Sequence, residues 1–395
     1  MKIAWVSSWP PRPCGIATYS SELVHALRSA GNEVHIICHT DGGTPGEENV
    51  HPVIDTQHAG WDEEVHRAVK EISPEVVHIQ HEYGLYATMG DHAASLFRPL
   101  FRWKVEEKFP VVVTYHSVYT RLNKMMRYYM DVMQNLVDGG TVFEPYQWAY
   151  LAVNIGRVVD NVYVIPHGAK GATHASKEDS RKSLNLQGKK VVGLLGWFTE
   201  TKGFHRVIER WDSISKKLGP DTVLVLAGDA RLVDPGQQEY KRKLLSLINN
   251  SEFKDRIRLV LGSFTPEEYE NVLASFDVMV MPYSFASQSG NLAHSLSLGV
   301  PVVASALEGL KSVIDESGAG IGVPTDDADE LERAIVAVMQ DDSLREKLST
   351  RAAAYVKSKI SWPVIVEKHM RLYRKLMDKK QMAETDVKPE ALLEA

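Results

Sequence analysis

The sequence predicts two doubly wound, Rossmann-like α/β domains, each built on a parallel sheet. Three observations carry this expectation. Short, nearly continuous apolar runs alternate with amphipathic helical stretches. The runs fall into two series. A segment rich in Gly, Ser, Lys and His, without apolar periodicity, separates the series at 168–187. Strands covered by helices on both sides read as unbroken apolar runs, because neither face meets water.

The first series occupies 3–6, 34–37, 76–79, 111–115 and 162–165. The second occupies 191–195, 223–226, 257–261, 278–281 and 300–304. The last helical segment, 362–377, carries aromatic and basic residues, and the tail 378–395 reads as polar and frayed. The length of 395 residues exceeds one ordinary core and suits two domains of ~150–200 residues.

Composition excludes several classes. A net charge of −6 argues against a general nucleic-acid binder, which needs a basic surplus to neutralise phosphates. Cys14 and Cys38 are the only cysteines, too few for a disulfide framework or a four-cysteine zinc site. No apolar run approaches the ~20 residues that span a bilayer. The opening residues alternate like a first strand, not like a signal-peptide core. A reducing, cytoplasmic setting is the expectation.

Ligands of open α/β sheets bind beyond the carboxyl ends of the strands, so the loops there hold the candidate residues. The first strand enters Pro10-Pro11-Arg12-Pro13-Cys14-Gly15, followed by a helical stretch to Arg28. A glycine at a helix start lets backbone approach a ligand closely. A plain strand–helix turn would read the same way, and the GxGxxG fingerprint is absent. His78 should point into the sheet layer, whereas His81, Glu82 and Tyr83 are expected past the strand end, lining a cleft. Adjacent residues share no ligand face and no HExxH spacing occurs, so no metal site is expected. His116 closes the fourth run after Thr114-Tyr115. It suits a reacting group, or equally a hydrogen-bonded loop.

The second series opens on Gly193-Leu194-Leu195-Gly196-Trp197, leading to Lys202-Gly203 at a helix start. Helix-end amides and a lysine charge make a phosphate-binding arrangement. It is not a Walker loop, which needs Gly-Lys-Ser/Thr. Ser287, Gln288, Ser289, Gly290 and Asn291 crowd the start of a helix over 292–298. One N-cap would need only one of them; the cluster suits a diphosphate held without metal. The basic, aromatic stretches 97–104 and 121–129 read as amphipathic helices, with a membrane surface or a sugar acceptor as the sharper alternative.

Taken in order, these motifs resemble the GT-B glycosyltransferases, more narrowly the retaining family 4 of sucrose-synthase-like and mannosyltransferase-like enzymes. The resemblance spans essentially the whole chain. It rests on the Gly15 loop, Thr114-Tyr115-His116, Ile165-Pro166-His167-Gly168, Gly196 with Lys202-Gly203, Leu226-Ala227-Gly228-Asp229, and Leu296-Ser297-Leu298-Gly299-Val300-Pro301. It implies two domains facing a cleft. An acceptor domain at 1–175 would have a C-terminal helix, 362–380, packed back on it, and a nucleotide-sugar domain would occupy 185–360. His81, Glu82 and Tyr83 become acceptor contacts. His116 would line the reacting sugar, and Lys202 would hold the donor diphosphate. Gly15, Gly196, Trp197, Gln288, Ser289, Gly290, Asn291 and His294 complete the expected donor site.

Two departures stand out. The family's arginine after the loop glycine is Trp197 here, and its two glutamates fall on Ala286 and His294. His294 could take one glutamate role, and Gln288, Ser289 or Asn291 the other. The resemblance implies transfer of a hexose, mannose foremost, from a GDP- or UDP-sugar to a hydroxyl acceptor. It implies retention and no metal or other cofactor, the protein stabilising charge on the diphosphate. A sugar phosphorylase on the same fold and a non-catalytic carbohydrate- or nucleotide-binding subunit remain alternatives.

Overall fold

A computed structural model describes residues 1–86, 96–170, 176–286 and 288–386. The chain divides into two compact units, Met1–His167 with the segment from Trp362, and Gly168–Ser361.

The first unit holds seven strands: β1 (Lys2–Val6), β2 (Glu33–His39), β3 (Val50–Ile54), β4 (Val76–His81), β5 (Val111–Tyr115), β6 (Gly139–Val142) and β7 (Val162–Val164). They lie in the order β3-β2-β1-β4-β5-β6-β7, each pair parallel. The second unit holds β8 (Lys190–Leu195), β9 (Thr222–Gly228), β10 (Ile257–Leu261), β11 (Val278–Met281), β12 (Val302–Ser305) and β13 (Gly320–Val323). Their order is β10-β9-β8-β11-β12-β13, again all parallel. The winding reverses between β1 and β4 and between β8 and β11. At such a switch point the two outgoing loops diverge and leave a crevice, the preferred ligand position of this class.

Side-chain alternation builds the first core. Ile3 and Trp5 join Leu23 and Leu27 of the helix Gly15–Ser29 and Tyr373 of the C-terminal helix Trp362–Asp386 on one face. Ala4 and Val6 point the other way, to Trp61 and Val65 of the helix Trp61–Ile72. The period of two in β1 thus serves both layers. His78 lies buried in the layer under the C-terminal helix, hydrogen-bonded to Tyr373 Oη at 2.5 Å and Thr114 Oγ1 at 2.8 Å.

Three strands were not visible as apolar runs. β3 contains Pro52 at a sheet edge, where a missing N–H is tolerated. β6 begins with Gly139-Gly140, and a Cβ on Gly140 would come within 3.0 Å of Val162 and 3.1 Å of Tyr115. β13 alternates Gly320 and Gly322 with apolar residues. The separating segment contains the seven-residue helix Lys177–Ser183, capped by Ser176, too polar and short to show a period. The tail expected to fray from 378 instead continues the helix to Asp386. Among the described residues no helix is long and apolar enough to cross a membrane.

Candidate active site

In the second unit, the loops leaving β8, β9 and β11 are tied to one another by backbone. Gly196 N donates to Ala227 O at 3.0 Å, Phe198 N to Asp229 O at 2.9 Å, and Ser284 N to Thr201 O at 2.9 Å. Glycines permit these approaches. Gly203 has φ +66°, and a Cβ there would strike the Pro282 carbonyl; Gly228 has φ +130°, and a Cβ there would strike the Gly196 carbonyl.

Gly196, Lys202 and Asn291 meet in this frame. Gly196 has φ +134°, and its Cβ position lies 3.3 Å from Asn291 Nδ2 and 3.9 Å from Lys202 Cε. The Lys202 ammonium sits 4.0 Å from the centroid of the Tyr283 ring. Among the described residues it makes no ion pair, because the nearby acids are taken. Glu200 pairs with Lys243 at 2.9 Å and Asp229 with Lys241 at 2.6 Å. Lys202 ends a single turn, Glu200–Lys202, and the following helix, Phe204–Ile208, has only five residues. A full helix was expected there. A helix this short has a weak dipole, so the lysine carries most of the positive field at this loop.

The helix expected over 292–298 spans Gly290–Ser297. Ser289 caps it, its Oγ accepting from Leu292 N at 3.4 Å. The Asn291 side chain is occupied within the protein: Nδ2 donates to Leu195 O at 2.7 Å, and Oδ1 accepts from Tyr269 Oη at 3.0 Å. It therefore locks the helix start to the end of β8 instead of offering its amide to a ligand. Gln288 Oε1 is buried without a hydrogen-bond partner among the described residues. Ser287 lies outside the described residues. The His294 ring packs edge-on against Tyr269 at 5.4 Å. Burial foremost, then the Lys170 ammonium, holds its pKa down to about 4, so the ring is neutral near pH 7. Ala286 packs against the core.

Trp197 is half-buried, with the Arg231 guanidinium 5.0 Å above its ring. Tyr269, Tyr283 and Arg231 were missed in the sequence. What marks each is a contact distant in the chain: Asn291 for Tyr269, Lys202 for Tyr283 and Trp197 for Arg231.

In the first unit, Gly15 opens its helix, and a Cβ there would meet nothing within 4 Å. Packing therefore places no demand for glycine at this position. His116 directly follows β5, and its N donates to His81 O at 3.0 Å. Its Nε2 lies 2.9 Å from Gln80 Oε1, and its ring meets Tyr19 and Phe143 edge-on, each at 5.1 Å. Burial, with smaller contributions from His167 and His81, holds its pKa down to about 3. A neutral imidazole with its Nε2–H directed at Gln80 follows.

The acceptor trio needs correction. His81 is the last residue of β4, not a loop residue, and is fully buried among Tyr83, Tyr115 and Tyr129. Tyr83 is also buried, its ring stacked on Tyr119 at 5.7 Å. The last pair of the β4–β5 ladder, His81 with Tyr115, carries the side chain inward. Of the three, Glu82 alone keeps partial exposure. Burial raises its carboxyl pKa, and a hydrogen bond from Ser117 partly offsets this.

Among the described residues, His66, Glu106 and Glu107 bring ligand atoms within 4.8 Å of one another. Lys70 already neutralises Glu107 at 2.8 Å and Arg102 neutralises Glu106 at 2.9 Å. None of the three lies in the loops described above.

Comparison with known proteins agrees with this layout. The family described as glycosyl transferases group 1 matches residues 176–355, and Glycosyltransferase Family 4 matches residues 13–170. An alpha-D-kanosaminyltransferase of Streptomyces kanamyceticus is 22% identical over 204 residues, covering 52% of this chain and 50% of that protein. A phosphatidyl-myo-inositol mannosyltransferase of Mycolicibacterium smegmatis is 32% identical over 114 residues, 29% of each chain. The chain spans half or less of the length of these curated relatives. The crystal structure of Anabaena Alr3699/HepE in complex with UDP superposes with a TM-score of 0.73 at 16% identity, covering 95% of this chain and 100% of that one. At that identity the likeness concerns the fold.

Proposed function

The chain belongs to the GT-B glycosyltransferases of the family 4-like group, and from that premise we propose that it moves a hexose from a nucleoside-diphosphate sugar to a hydroxyl acceptor. One observation carries the reading: at the second unit's switch point, Gly196 and Lys202, which makes no ion pair among the described residues, converge beside a helix start locked there by Asn291. A bare backbone and an uncompensated ammonium suit a diphosphate, because charge builds on that group as the glycosidic bond breaks. The donor is a GDP- or UDP-hexose. The mannosyltransferase relative supports mannose, and the UDP-bound neighbour supports a uridine nucleotide.

In this proposal Lys202 and the amides near Gly290 stabilise the leaving diphosphate without a metal, and the anomeric configuration is retained. Gln288 Oε1 supplies a buried acceptor for a donor hydroxyl, and neutral His294 stands where the family has a carboxylate. The first unit serves the acceptor through Glu82 after β4, and His116 after β5 lines the reacting sugar. A thermal-shift screen of GDP-, UDP- and ADP-sugars, followed by NMR of the product, tests the reading. It expects stabilisation by one donor and an α-linked product from an α-linked donor, with or without EDTA. Stabilisation by none of the three would refute it.

A further inference from the structure

Among the described residues, the second unit holds a second cation without an ion pair, over the residue that follows Gly196. Arg231 follows β9 by three residues, and β9 is the neighbour of β8 that ends level with it, Leu195 opposite Ala227. The Arg231 side chain is exposed. Among the described residues its guanidinium makes no hydrogen bond and no ion pair, and rests 5.0 Å above the Trp197 ring. Trp197 is the residue after Gly196, where Lys202 and Asn291 converge.

An exposed arginine ordinarily roams through many rotamers. This one is restrained at both ends. Its N donates to Gln237 Oε1 at 2.9 Å, and its O accepts from Asp234 N at 3.1 Å and Gln238 Nε2 at 3.1 Å. The aromatic face restrains the guanidinium. The two acids of the loop are engaged away from it. Asp229 is paired with Lys241, and Asp234 caps the helix Pro235–Asn250 through Gln237. Leu232 and Val233 beside it stand 92% and 91% exposed, so nothing of the described unit covers this loop.

A guanidinium held ready, unpaired and unsheltered, at the carboxyl end of a strand adjoining a phosphate loop is arranged to receive an anion. We propose that Arg231, positioned by Trp197, is the second cation of the donor site and binds the diphosphate opposite Lys202. The assignment rests on the donor reading above. It makes Arg231 a ligand-contacting residue and Trp197 a positioning residue, and it gives the diphosphate a bidentate partner that a lysine cannot provide.

Isothermal titration with UDP, GDP and the matching monophosphates tests it on the full chain. Arg231→Ala should weaken the bound diphosphate by about tenfold or more, as loss of a charge-assisted contact does, and the monophosphate by less. Arg231→Lys should fall between. Trp197→Leu should weaken binding less than Arg231→Ala, and the double variant should be no worse than Arg231→Ala alone, since both remove one arrangement. The melting temperature should move little, as among the described residues the guanidinium's contact is the cation–π one with Trp197. Wild-type affinity in Arg231→Ala, with binding lost in Lys202→Ala, would overturn the inference and leave the donor reading standing. Equal losses for diphosphate and monophosphate would overturn the assignment to the diphosphate. Failure of the wild type to bind either UDP or GDP would overturn both readings.

Discussion

Replacing Lys202 by alanine isolates the main electrostatic element of the proposed donor site. The structure separates its effects on stability and on function. Among the described residues Lys202 has no carboxylate partner, so its loss strands no buried charge. Its ammonium rests on the Tyr283 ring at 4.0 Å, a cation–π interaction of ~0.5–1 kcal/mol at a partly exposed site. Stability should therefore fall by no more than about 1 kcal/mol. The charge-assisted contact to a diphosphate is larger, ~2–3 kcal/mol, and strengthens as negative charge collects on the leaving group. At ~1.4 kcal/mol per decade, that is a loss of about two powers of ten in kcat/KM. Steady-state kinetics with the donor found by the screen, alongside thermal melts, gives both numbers. Wild-type kcat/KM in a folded variant would refute the reasoning.

Gly290→Val should abolish donor binding by titration while shifting the melting temperature little, because the residue opens the helix Gly290–Ser297 and Ser289 keeps the cap; a stability loss with intact binding would contradict it. His116→Ala should lower turnover and leave the affinity for a bare nucleoside diphosphate nearly unchanged, and a large fall in that affinity by titration would move His116 out of the sugar-binding role. The buried histidines predict acid lability. Burial lowers His81 and His116 from about 6.5 to about 3, and His294 and His369 to about 4. Their neutral forms cost nothing above pH 6.5, but below it the unfolded chain gains protons that the folded one refuses. Stability should thus fall as pH drops from 6.5 toward 4, each group adding ~1.4 kcal/mol per pH unit. Urea denaturation at pH 7, 6 and 5 measures the slope, and equal midpoints at pH 7 and 5 would exclude it.

Much of the architecture is legible in the sequence because strand burial and strand composition are one property in a parallel sheet. β5 and β11, buried throughout, coincide with apolar runs read directly from the chain. β6 and β13 escape that reading because glycines lower their apolar density. Glycine is chosen there by neighbours such as Val162 and Tyr115, or the Val302 carbonyl, which lie distant along the chain.

The candidate site divides along the same line. Gly196, Lys202 and the polar cluster at 288–291 announce themselves, since glycine, lysine and N-capping residues at a strand–helix junction have few other uses. What each side chain does depends on partners the sequence does not name. Asn291 is turned from ligand to lock by Leu195 O and Tyr269. His81 is drawn inward by the last rung of the β4–β5 ladder. Arg231 becomes conspicuous only when Lys241 is seen to hold Asp229 and Trp197 is seen beneath the guanidinium. By itself the sequence determined two doubly wound domains and the glycine- and cap-rich loops leaving their strands, because local composition encodes burial and backbone freedom. Tertiary structure alone decided which charges are left unpaired, because pairing is settled by distances between residues far apart in the chain.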